Sequence, residues 1–276
     1  MPELPELHIL SKQMAKEVIG KRIHKVEVYQ PKCLNIPPEQ FVETAVGKTI
    51  GKVYSRGKWL FVKLEPDHYL LVNLGMGADL LYFKPKSKLP EKYQFKLIFT
   101  DHSGFTIRFY WFGYIHLLLE KELGQHKLTA KLGIFPLDKE FTKEYLQKLL
   151  AKRKARIKSL LLDQKNIAGI GNVYIQDILF NARLHPNRKA NSLSDQEISN
   201  LYTAIKTVLN SSIEKGGLAY EKNFYSQKGN FKTEDFQVGY KTGKPCPVCS
   251  TPIEKIRTGT TSSYICPKCQ KPQMIK

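Results

Sequence analysis

Acidic residues are scarce in this chain of 276 residues: 25 Asp and Glu stand against 44 Lys and Arg, a formal net charge of +19. The surplus is spread along the length with no single basic tail, which predicts a polyanionic partner, nucleic acid ahead of an acidic membrane. Long apolar runs are missing too. Nothing approaches the roughly 18 residues of a membrane span, and the N-terminus lacks the hydrophobic core of a signal peptide, so a cytoplasmic, nucleoid-associated protein is expected. Cysteine is confined to five positions, four of them within the last 31 residues. That distribution excludes a disulfide framework spread through the chain and leaves Cys33 as a small packing residue. No G-x-G-x-x-G fingerprint follows a strand, which argues against dinucleotide binding.

What is present is enough apolar residue, 42% of the chain, for two domains with real cores. Leu7, Leu10, Met14 and Val18 recur at helical spacing and predict an amphipathic helix over 5–19, stopped by Gly20. The period then changes to two. Val26 and Val28, then Leu60, Val62 and Leu64, then Leu97 and Phe99, then Phe105, Ile107, Phe109 and Trp111 alternate, with Asp101–Gly104 as a turn. Residues 21 to about 120 read as an antiparallel sandwich carrying the N-terminal helix. Lys58 sits at a strand start, either solvated or within reach of a ligand.

A weakly patterned linker follows near 125–140, and helical spacing returns at Tyr145–Leu150 and Ile157–Leu161, studded with Lys152, Arg153, Lys154, Arg156 and Lys158. A basic helix face is either a solvated surface or a phosphate track. Asn166–Val173 is a glycine-bearing turn between helices, with Asn172 as the expected N-cap of the second; such a turn brings backbone N–H groups close to a phosphate as readily as it serves structure alone. That helix is expected to run to Arg183. Ser194 and Glu197 form a capping box for a helix ending at Gly216-Gly217. Residues 218–235, with Tyr220, Phe224, Tyr225 and Phe231 among lysines, have the composition of a mobile loop that stacks on bases.

Cys246-x-x-Cys249 and Cys266-x-x-Cys269, separated by sixteen residues, predict four thiolates around one structural Zn²⁺ with no open coordination position. The hairpin between them should carry Thr260, Thr261 and Ser262 near its tip.

The first residues hold a chemical possibility. Removal of Met1 ahead of the small Pro2 exposes a secondary amine, and an α-amino group titrates near about 7.7–8.0, so a large fraction is neutral at physiological pH. Such an amine attacks an electrophilic carbon and forms an iminium, the electron sink of Schiff-base chemistry. Glu3 and Glu6 are then proton carriers. The plainer alternative is a helix start, where proline and acids are favoured anyway.

Together these features resemble the formamidopyrimidine-DNA glycosylase and endonuclease VIII family, and the former branch more closely. The landmarks are Pro2-Glu3-Leu4-Pro5-Glu6, Leu74-Gly75-Met76 with Phe112-Gly113, the run from Ile157 to Pro186, and Gln237 to Cys269. The resemblance implies an α+β fold in three parts: a catalytic β-sandwich domain (1–130), a helix-two-turn-helix domain (131–235) and a zinc finger (236–276). It implies a monomeric bifunctional glycosylase and abasic-site lyase acting on double-stranded DNA that carries a damaged base, an oxidised purine first, or an abasic site. Pro2 would be the nucleophile, Glu3 the acid/base group, Glu6 a second carboxylate and Lys58 a phosphate ligand near the lesion. Met76 and Phe112 would fill the gap left by the flipped nucleotide, and Asn172, with the basic run around Lys154, would hold phosphates.

Two departures stand out. Thr261 occupies the place of a phosphate-binding arginine, and Trp111 that of an arginine facing the orphaned base. They leave open an altered lesion preference, toward abasic sites or oxidised pyrimidines, or a protein that binds distorted DNA without cutting it.

Overall fold

The computed structural model describes residues 2–272. Two compact units are formed, and neither is a continuous stretch: 1–131 joins 215–230, and 132–214 joins 231–276. The sequence reading placed 215–230 in the second domain; the structure returns it to the first.

In the first unit helix α1 (Leu4–Val18) leads into β1 (Ile23–Val28), α2 (Pro38–Ala45), β2 (Thr49–Arg56), β3 (Trp59–Glu65), β4 (His68–Asn73), β5 (Ala78–Phe83), β6 (Phe95–Phe99), β7 (Gly104–Phe109) and β8 (Tyr114–Leu119). These strands make two four-stranded sheets, β1-β6-β7-β5 and β2-β3-β4-β8, and every pair is antiparallel. Period-two side chains from both sheets, among them Leu60, Val62, Leu64, Leu97, Phe99, Phe105 and Ile107, share one core with Leu7, Leu10, Met14 and Val18 of α1. Alternation stops at Phe109; Trp111 lies beyond β7 and is 82% exposed. Cys33 is buried in the same core, and burial pushes its thiol up to about 11. Helix α2, not foreseen, starts on Pro38 and anchors through Phe41 and Ala45. Its eight residues are too short for periodicity to declare it.

The returning segment is not a loose loop. Phe224 is fully buried in the sandwich core, its N–H donates to Gln13 Oε1 at 2.9 Å, and its carbonyl accepts from Tyr82 N at 2.8 Å. Tyr225 donates its hydroxyl to Glu17 at 2.8 Å. Of the aromatics expected to stack on bases, Phe224 and Phe231 are therefore buried, and Tyr220 keeps 59% of its surface exposed.

The second unit contains α3 (Lys143–Ala151), α4 (Ile157–Leu162), α5 (Ile175–Asn181), α6 (Asp195–Glu214) and the hairpin of β9 (Glu254–Thr258) and β10 (Thr261–Ile265). Helix α6 begins with both halves of its capping box: Ser194 N donates to Glu197 Oε2 at 2.9 Å and Glu197 N to Ser194 Oγ at 3.3 Å. Helix α5 stops at Asn181, two residues before the expected end, because Arg183 turns left-handed at φ 57°. Among the described residues no helix is long and apolar enough to cross a membrane.

Truncating Phe224 to Ala removes a fully buried ring from the sandwich and should destabilise the first unit by about 3–5 kcal/mol. Urea denaturation followed by a first-unit probe measures this; a loss under about 1 kcal/mol would show that the segment contributes no core.

Candidate active site and DNA interface

Helix α1 determines the geometry around the chain start. Glu3 is its N-cap, and Glu6 reaches back so that its Oε2 accepts the Glu3 N–H at 2.9 Å. The other oxygen of Glu6 accepts Leu218 N–H at 3.2 Å. Pro2, Glu3 and Glu6 are all buried, Glu3 to 1% exposure. Lys58, in the turn between β2 and β3, has its pKa lowered by burial, with the Glu3 charge acting against that shift. The sequence predicts Pro2, Glu3, Glu6 and Lys58 as site residues; all belong to the first unit, and Lys58 feels the Glu3 carboxylate.

Two turns lie at one end of the sandwich. Asn73, at the end of β4, donates to Lys58 O at 2.9 Å and accepts Gly75 N–H at 3.0 Å, tying the Lys58 turn to the one that carries Met76. Gly75 (φ 55°) packs so closely that a Cβ would sit 1.6 Å from Phe112 O. Backbone therefore meets backbone, and only glycine fits. The result is an exposed apolar cluster of Met76 (56%), Tyr110 (50%), Trp111 (82%) and Phe112 (50%).

In the second unit the sequence-based assignments need two corrections. Lys154 is exposed in the loop between α3 and α4, which takes up residues 152–156, so Lys152, Arg153, Lys154 and Arg156 form no helix face. Asn172 does not cap α5, whose N-cap is Tyr174; Asn172 occupies the preceding turn, where its carbonyl and its Oδ1 accept from Gln176 Nε2 at 2.9 and 3.2 Å. Thr261 is the first residue of β10, and its hydroxyl turns back to Thr258 O at 3.3 Å. Gly259 and Thr260 form the tip, with Thr261 and Ser262 next to it as expected. Arg257 is exposed and folds through Nε onto Gly259 O at 3.3 Å.

Lys158 is the residue that periodicity misjudged most. Its side chain is buried at 2% exposure, and its ammonium donates to Ser262 O (2.6 Å), Ser263 Oγ (2.9 Å) and Thr258 Oγ1 (3.2 Å). Gln176 supports the same hairpin, accepting Tyr264 N–H at 3.1 Å and donating to Ser262 O at 3.3 Å. A lysine at the second position of a short helix, next to Ile157, gives no sequence signal of this burial.

The four cysteine sulfurs lie within 4.8 Å of one another, with separations of 3.4, 3.5 and 3.9 Å among them. Tetrahedral zinc–thiolate bonds of about 2.3 Å place sulfurs roughly 3.8 Å apart, so the donor set fits one closed structural zinc. Backbone N–H groups of Val248 and Cys269 point at Cys246 and Cys266 sulfurs at 3.5 and 3.4 Å, which stabilises thiolate charge. Gln270, fully buried, fastens the knuckle to Leu184 O at 2.9 Å.

Comparison with known proteins agrees along the whole chain. A model described as the formamidopyrimidine-DNA glycosylase N-terminal domain matches residues 1–110, the H2TH domain of the same enzyme matches 132–223, and a zinc finger found in FPG and IleRS matches 243–272. The formamidopyrimidine-DNA glycosylase of Pelotomaculum thermopropionicum is 40% identical, the alignment covering 98% of this chain and 99% of that protein. The chain belongs to the formamidopyrimidine-DNA glycosylase family. The family enzyme of Bacillus subtilis is 36% identical over the same shares of both chains. A Lactococcus lactis Fpg solved in complex with N7-benzyl-Fapy-dG DNA superposes with a TM-score of 0.89 at 27% identity, covering 98% of this chain and 100% of that one. The same Fpg has been solved on abasic-site DNA, with a TM-score of 0.89 at 26% identity.

Burial depresses the Lys158 pKa from 10.5 to about 8. Between those values the unfolded chain binds more protons than the folded one, so stability rises with pH across that window and is flat below it. Lys158→Met should abolish the rise, measured as urea midpoints of the second unit from roughly pH 7.5 to 10. An unchanged slope in the variant would show that Lys158 is not its source.

Proposed function

We infer that the protein is a bifunctional DNA glycosylase and abasic-site lyase of base-excision repair, removing damaged bases, oxidised purines first, through a Schiff base on Pro2. The observation that carries the reading is the joint burial of Pro2, Glu3 and Glu6 at the start of α1 with the depressed Lys58 nearby. Once Met1 is removed, the neutral secondary amine bonds to C1′ of the damaged nucleoside and the base leaves with a proton; Glu3 is the group placed to protonate the sugar ring oxygen. The resulting iminium acidifies the C2′ proton, and its loss expels the 3′ phosphate in β-elimination, with δ-elimination following. Glu6 keeps Glu3 in register, and Lys58 meets a phosphate beside the lesion.

Met76, Trp111 and Phe112 enter the duplex where the nucleotide leaves, since apolar wedges offset the cost of unstacking. Asn172 and the basic loop at Lys154 face phosphates, as the +19 charge supports. The protein acts as a monomer, and its affinity for DNA keeps it on the nucleoid. One observation favours a second reading, in which abasic sites or oxidised pyrimidines are preferred. Thr261 and Arg257 both turn back onto their own hairpin, which leaves the grip at that tip weaker.

Borohydride reduction with abasic-site DNA should trap a covalent adduct that Pro2→Gly loses. Absence of an adduct from protein confirmed to begin at Pro2 would leave a DNA-binding protein without this chemistry. Glu3→Gln should bind lesion DNA normally yet excise the base about 10²–10⁴-fold more slowly, read in single-turnover assays. Equal rates would remove Glu3 from the mechanism.

A further inference from the structure

Gln176, in the first turn of α5, is 1% exposed, and both ends of its side-chain amide are committed. Its Oε1 accepts Tyr264 N–H at 3.1 Å, and its Nε2 donates to Ser262 O at 3.3 Å, to Asn172 O at 2.9 Å and to Asn172 Oδ1 at 3.2 Å. The two β10 partners flank Ser263 on one edge of the strand, so the amide acts there as a neighbouring strand would. A backbone N–H can only donate, and a backbone carbonyl can only accept. Tyr264 N and Ser262 O therefore decide which end of the Gln176 amide is oxygen and which is nitrogen. Lys158 Nζ also donates to Ser262 O, at 2.6 Å, and holds that carbonyl in place.

The consequence reaches Asn172. An NH2 group facing it requires an acceptor, so the Asn172 amide presents Oδ1 to Gln176 and keeps Nδ2 for a ligand. Among the described residues nothing accepts from that Nδ2, and Asn172 is half-buried. We propose that Gln176 is a positioning residue for DNA: the fixed polarity of its own amide turns Asn172 so that the side chain meets a phosphate oxygen with its NH2 and not with its oxygen. This rests on the phosphate contact proposed for Asn172. A donor beside an anionic oxygen is attractive, and an amide oxygen in the same place is repulsive, so the orientation decides the sign of the contact.

Affinity for a duplex carrying a tetrahydrofuran analogue of an abasic site is measured by fluorescence anisotropy at pH 8. The proteins are Gln176→Met, Gln176→Glu, Asn172→Ala and each Gln176 change combined with Asn172→Ala, and bound zinc is measured on the same samples. Asn172→Ala should weaken binding about 10-fold, the loss of one hydrogen bond to a charged group. Gln176→Met frees the Asn172 amide to rotate and should cost about 3–10-fold through the freedom then lost on binding. Gln176→Glu still accepts from Tyr264 but has no hydrogen to give, so Asn172 turns its NH2 inward and binding falls about 10-fold or more. In the Asn172→Ala background neither Gln176 change should cost more than about 1.5-fold, because the group it positions is gone. The proposal is overturned if Gln176→Met binds as tightly as the unsubstituted protein, or if it weakens binding equally with and without Asn172, as general damage to the hairpin would. Should the buried carboxylate cost the hairpin its zinc, Gln176→Met, which buries no charge, decides alone. Unchanged affinity in Asn172→Ala would instead overturn the phosphate contact on which the proposal rests.

Discussion

The bidentate use of the Glu6 carboxylate is the interaction on which the first unit's chemistry depends. One oxygen holds the backbone of Glu3, fixing the start of α1 and so the direction in which the chain terminus points; the other holds Leu218, more than two hundred residues away in sequence. A terminus is ordinarily the least constrained part of a chain. In the proposed reaction it must be the most constrained, because a nucleophile displaced by even about 1 Å loses most of its advantage. Proline, a capping carboxylate and burial together restrict the start of α1.

What sequence could and could not reveal divides along the range of the interactions. The alternating strands, the α1 stripe, the Ser194–Glu197 box and the paired Cys-x-x-Cys knuckles are local patterns, and each appears where it was expected. The return of 215–230 to the sandwich depends on Phe224, Gln13 and Tyr82, whose pairing spans most of the chain and leaves no periodic trace. The same holds for Lys158. A helical basic residue is by default solvated, and only the hairpin carbonyl and hydroxyls about a hundred residues downstream explain why this one is buried. Polar, aromatic composition suggested mobility for 218–235, but composition does not record which rings find a socket.

Glycine at positions 75 and 113 shows how far local rules carry into the site. The Met76 turn approaches the Phe112 backbone so closely that a methyl group has no room at Gly75, and a Cβ on Gly113 would lie 2.1 Å from the Phe109 ring and 2.9 Å from Asn73 O. The exposed Met76, Trp111 and Phe112 are thus presented by a rigid double turn. Asn73, bonded to both the Lys58 turn and Gly75, extends that rigidity toward the chain start.

Because Phe224 completes the sandwich core from a stretch encoded after α6, a chain that ends before residue 224 lacks part of the first unit's core. Ribosomal synthesis must finish most of the second unit before the sandwich can close over its missing ring. A nascent chain halted at α6 would present an open, greasy socket where Phe224 belongs.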